Sequence, residues 1–177
     1  MILMHHERGK AATVLTDGCV IDVKVDFERI VFWLNGHLEG TVLCARHQLT
    51  GNIFPCVALG PNTEISFFEH GWKNPSKPPP LIKSSWHWDT NVPPGVTLSG
   101  DSKTVSRGQG SPVTTMPIIL PGKFVTVKAA NPLDKENHHF RVTVNSSEGR
   151  NFAIGIVKSK VDTKTDRSIS DLSDTCW

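Results

Sequence analysis

Through much of this chain the apolar residues recur at every second position, the signature of strands with one face buried. Val23, Val25 and Phe27 alternate with Lys24, Asp26 and Glu28. Ile30 to Leu34 is then an unbroken apolar run, which predicts a strand buried on both faces. It stops at Asn35-Gly36, the dipeptide best suited to a tight turn with positive φ. Phe54 to Leu59 forms another apolar run, closed by Gly60-Pro61-Asn62, and Thr63 to Phe68 reads as its hairpin partner.

The second half has the same style. Ile118-Ile119-Leu120 meets the turn signal Pro121-Gly122 before Phe124 to Val127. Phe140, Val142 and Val144 alternate with Arg141 and Thr143, and Phe152 to Val157 reads as a buried strand carrying Gly155. The best helical candidate, Leu38 to Leu49, is interrupted by Gly40 and carries no apolar stripe over three turns. Short strands separated by frequent Gly and Pro turns predict an all-β fold, an antiparallel β-sandwich. Pro75, Pro78, Pro79 and Pro80 mark residues 73–84 as an extended connector between segments 13–72 and 85–160. A polar tail occupies 161–177.

Length and charge narrow the function classes. The 177 residues, 38% hydrophobic and 20% charged, suffice for one ordinary domain. Lys and Arg number 19 against 17 Asp and Glu, a formal charge of +2, and no basic stripe stands out. Neither a nucleic-acid partner nor a membrane surface is therefore expected. No apolar stretch approaches the ~18 residues of a membrane span. The Met1-Ile2-Leu3-Met4 start is too short for a signal peptide, so an intracellular, cytoplasmic location is expected. On the same ground the Asn145-Ser146-Ser147 sequon reads as a coincidence. Cys19, Cys44, Cys56 and Cys176 show neither a Cys-x-x-Cys pair nor a dense framework, and Cys56 is expected as a reduced, buried thiol.

Candidate chemistry is sparse. His5-His6 and His138-His139 are adjacent pairs, which project to opposite faces of a strand and cannot chelate together from one of them. No His-Glu-x-x-His, zinc-finger spacing, phosphate loop or Gly-x-Ser-x-Gly elbow occurs. The reading is a non-enzyme without catalytic residues, metal or cofactor.

The order of these elements carries a resemblance. Asp17-Gly18-Cys19-Val20-Ile21-Asp22, Val25-Asp26, Phe32-Trp33-Leu34-Asn35-Gly36, Phe54-Pro55-Cys56-Val57-Ala58-Leu59 and Glu64-Ile65-Ser66-Phe67 resemble, in sequence order, the carboxyl half of a SPRY (B30.2) domain. Leu98-Ser99-Gly100-Asp101-Ser102-Lys103-Thr104-Val105, His138 to Val144 and Phe152 to Ile156 resemble strands of its amino half, here following the carboxyl-half motifs. The resemblance implies either one sandwich with its halves in permuted order or the adjoining parts of two copies. The latter would fit a giant multi-SPRY HECT-type ubiquitin ligase. It also implies a non-catalytic module that binds a partner protein or peptide through loops, as the substrate-recruiting part of a ubiquitin-ligase system. The candidate contact residues are Arg46 and His47 in the Gly40–Gly51 loop, with the aromatic rings of Trp72, Trp86 and Trp88. Packing of Trp86 or Trp88 onto the sandwich is the competing reading, and Phe32, Trp33 and Phe54 are expected in the core. The alternative function is a small-ligand or carbohydrate-binding sandwich with Trp33, Trp86 or Trp88 as a stacking platform.

Overall fold

The computed structural model describes residues 2–3, 17–26, 28–43, 51–68, 86–108, 123–134, 138–147, 152–158 and 167–168. Among them every regular element is a strand: β1 (Ile2–Leu3), β2 (Val20–Val25), β3 (Arg29–Leu34), β4 (His37–Leu43), β5 (Ile53–Leu59), β6 (Thr63–Phe67), β7 (Val96–Leu98), β8 (Thr104–Arg107), β9 (Lys123–Lys128), β10 (His139–Ser147), β11 (Phe152–Lys158) and β12 (Arg167–Ser168). No helix among the described residues is long and apolar enough to cross a membrane.

The strands form two antiparallel sheets, in the orders β4-β3-β2-β10-β6-β8-β7 and β1-β11-β5-β9-β12. The fold is all-β, a β-sandwich. Both sheets draw strands from either side of the 73–84 connector. β10 lies between β2 and β6, and β5 lies between β11 and β9. Each half of the chain therefore supplies the hydrogen-bonding neighbours of the other.

Strand periodicity places the core. Ile21 and Val23, Ile30 and Phe32, Phe140 and Val142, and Ile65 point inward from the larger sheet. Val57, Leu59, Val127 and Ile154 meet them from the smaller one. Burial of such side chains contributes about 1.5–3 kcal/mol each. The β2–β3–β4 meander turns at Asn35 (φ 46°) and Gly36 (φ 89°), the paired positive angles that this dipeptide favours. Asn35 also ties the turn to β2, its N–H donating to Val20 O and its Oδ1 accepting from Val20 N–H, both at 2.8 Å.

Four expectations are corrected here. β5 and β6 do not form a hairpin, since Gly60-Pro61-Asn62 carries the chain from one sheet to the other. The two runs each found neighbours distant in sequence, which a local reading cannot supply. β3 is not buried on both faces, because Phe32 and Leu34 point inward and Trp33, one residue out of phase, is half-buried on the outer face. The expected Gly40–Gly51 loop is strand at its start, since Gly40 to Leu43 belong to β4, and residues 44–50 lie outside the described residues.

The fourth concerns Trp86 and Trp88, offered as partner-binding rings with packing onto the sandwich as the competing reading, and the structure bears out the packing. They are only 4% and 1% exposed and belong to the core. Trp88 stacks on Phe67 with ring centroids 4.0 Å apart, and its Nε1 donates to Lys103 O at 2.9 Å. Trp86 Nε1 donates to His139 O at 3.2 Å, so both rings bury their apolar bodies and satisfy their single donors. The backbone around them stitches the layers together. Trp88 N–H donates to Ser102 O beside β8, and Asp89 N–H to Lys128 O on β9.

Candidate recognition surface

The outer face of the larger sheet is built by the residues between the inward-pointing ones. Register sets Leu38, Trp33, Asp22 and Arg141 in one row across β4, β3, β2 and β10. Phe68 extends the row, its backbone N–H bonded to Arg141 O. Thr41, Val31, Lys24 and His139 form the adjoining row.

The centre of this face is polar yet closed to water. Asp22 and Arg141 are 2% and 4% exposed. Asp22 Oδ1 accepts from Arg141 Nε at 2.6 Å and lies 3.1 Å from His139 Nε2. Trp33 meets the His139 ring edge-on at 6.5 Å, and the Phe68 ring lies 6.0 Å from the Arg141 guanidinium carbon. One carboxylate oxygen thus takes two donors, whereas Asp22 Oδ2 and His139 Nδ1 have no hydrogen-bond partner among the described residues. The cluster joins β2 to β10.

Further along β10 the polar stripe continues. Asn145 Nδ2 donates to Glu64 Oε1 at 2.8 Å and Ser66 Oγ at 2.6 Å, and Ser66 shares a 2.8 Å hydroxyl contact with Thr104. The sequon asparagine is thereby engaged with β6. Among the described residues no group of three His, Cys, Asp or Glu is placed to hold a metal ion. Cys19 and Cys56 are buried and outside any disulfide among the described residues, and burial, reinforced by the negative charge of Asp17, pushes the Cys19 thiol up to about 11. Such a thiol is a poor nucleophile at neutral pH.

Toward β4 the face becomes apolar. Leu38 and Leu43 are 63% and 82% exposed, the exposed large apolar side chains among the described residues. Leu38 stands opposite Trp33 and Leu43 opposite Arg29, so both lie on the same outer face beside half-buried Trp33 and Val31. Charged groups rim this patch, including the Arg29–Asp26 pair at 3.5 Å.

Of the residues proposed from sequence, Arg46, His47 and Trp72 lie outside the described residues, and Trp86 and Trp88 are core. Leu38 and Leu43 were missed because no strand was assigned after the Asn35-Gly36 turn and Gly40–Gly51 was read as a loop. Their position directly after the Asn35-Gly36 turn was the available signal for a third strand of the meander. No protein-family model matches this chain, and no curated protein or solved structure matches it either.

Proposed function

We propose that this chain is a non-catalytic protein-recognition module, of the kind that its SPRY-like motifs imply, which engages a partner protein or peptide through the outer face of β4 and β3. The observation that carries this reading is the pair Leu38 and Leu43, displayed beside Trp33 at a sheet edge. Exposed apolar side chains gathered on one face and rimmed by charge mark association surfaces more often than scattered ones do. A rigid aromatic next to them can serve as an anchor at low entropic cost. Recruitment of substrates to a ubiquitin ligase is the physiological setting that the resemblance suggests. The carbohydrate-binding alternative is weakened by the burial of Trp86 and Trp88, two of the three rings on which it relied.

The test is selection of binders from a random displayed-peptide library on the intact chain, followed by affinity measurement with Leu38→Asp and Leu43→Asp. Both side chains are exposed, so the variants should melt like the parent. Loss of roughly tenfold or more in affinity is expected, the scale of an interfacial anchor. Binders that ignore both substitutions would place recognition elsewhere and defeat the proposal.

A further inference from the structure

We infer that the partner docks as an extended segment of a different protein, adding a strand to the open edge of β4. This deepens the proposed function and rests on it. In the larger sheet, Asp26 N–H donates to Arg29 O and Asn35 N–H to Val20 O. The odd-numbered residues of β3 therefore turn their backbone groups toward β2, and the even-numbered ones toward β4. Since Ile30 pairs with Val42 and Phe32 with Gly40, the backbone groups of Thr41 and Leu43 point away from β3. β4 closes the strand order on that side, and these outward N–H and C=O groups make no hydrogen bond to any described residue. An added strand would satisfy them in sequence-independent fashion, while its alternate side chains met Leu43 and Leu38 on the outer face. The partner segment that fits is thus extended, with apolar residues at alternate positions.

A second copy of the chain fits less well. Gly40 faces Phe32 and Leu38 faces Trp33, which leaves Glu39 as the extra residue of a bulge. Two-fold pairing about Thr41 would set Leu43 of each strand against the bulge of the other and break the ladder in both halves. Bulges of this kind oppose edge-to-edge association of identical strands. A foreign segment needs to match only the regular stretch from Gly40 to Leu43.

The experiment uses the intact chain and a selected library peptide, resynthesised with single N-methyl groups along its backbone. Strand addition predicts an alternating profile. Methylation of amides that face β4 should weaken binding by about tenfold, the upper range for one hydrogen bond, and methylation of those facing away should change little. Thr41→Pro, which deletes one outward donor at an edge position that tolerates proline, should weaken the parent peptide similarly. Amide exchange at Thr41 and Leu43 should slow on binding. A flat N-methyl profile with sensitivity to Leu38→Asp retained would overturn strand addition and leave the recognition surface standing. Insensitivity to both would overturn the two together. Concentration-dependent dimerisation abolished by Thr41→Pro would also overturn it, by assigning the edge to a second copy.

Discussion

Arg141 reaches across from β10 to Asp22 on β2, its Nε 2.6 Å from Oδ1, in an ion pair more than nine-tenths buried on the face away from the core. The pair joins residues 119 positions apart, one from each side of the Pro-rich connector. Desolvating two charges is costly, and their attraction inside the protein offsets that cost only while both remain. Asp22→Ala should therefore destabilise the fold by about 3–5 kcal/mol, because it removes the carboxylate that balances the buried guanidinium. The joint change Asp22→Leu with Arg141→Met should recover most of that loss. Thermal melts of the parent, Asp22→Leu, Arg141→Met and the double variant form the cycle. A loss in the double variant equal to the sum of the two single losses would show that the charges are not coupled.

The two tryptophan environments predict opposite sensitivities. Trp88 is enclosed between the sheets and stacked on Phe67, so Trp88→Ala should cost about 3–5 kcal/mol and abolish a sharp transition. Trp33 is half-buried on the outer face, and Trp33→Ala should cost only about 1 kcal/mol. Chemical denaturation of the two variants tests the contrast. A larger loss at Trp33 would mean that the outer face is packed as tightly as the core.

Asp89 supplies a pH dependence with a definite sign. Burial alone would raise its pKa, but the Asn91 N–H at 2.9 Å and Lys128 Nζ at 3.1 Å together hold the carboxyl below its ordinary value. A group depressed in the folded state contributes stability above its unfolded pKa of about 4 and loses it as pH falls through the lower folded value. Asp89→Asn should be less stable than the parent at pH 7, and the gap should close on acidification through that range. Salt should narrow it as well, because the pair is partly solvated. A gap that widens toward low pH would contradict the assignment.

Strand interleaving predicts that the halves hold together without a covalent link. A protease site introduced into the 73–84 connector and cut after folding should leave one species on size exclusion. Expressed alone, residues 13–72 or 85–160 should be insoluble or molten. A fragment of that size buries only about 60% of its unfolded surface, and here each would also expose strands meant to pair with the other. Two folded, separately eluting halves would contradict the observed pairing of β10 with β2 and β6.

Local pattern determined much of this protein by itself. Period-two alternation at Phe140, Val142 and Val144 named the inward residues of β10, and Asn35-Gly36 named the turn between β3 and β4, because side-chain alternation and positive φ are properties of a few adjacent residues. What escaped it depended on partners distant in sequence. Gly60-Pro61-Asn62 suits a hairpin or a passage between sheets equally well, and only pairing of β5 with β9 and β11 and of β6 with β8 and β10 chose the second. Trp33 sits in an apolar run yet faces outward, since the phase of β3 was decided by Ile30, Phe32 and Leu34 entering the core. Trp86 and Trp88 look from sequence like rings available to a partner, and the gap between two sheets consumed them. Leu38 and Leu43 stand exposed for the complementary reason: β4 ends its sheet, and no strand further along the chain was brought beside it among the described residues.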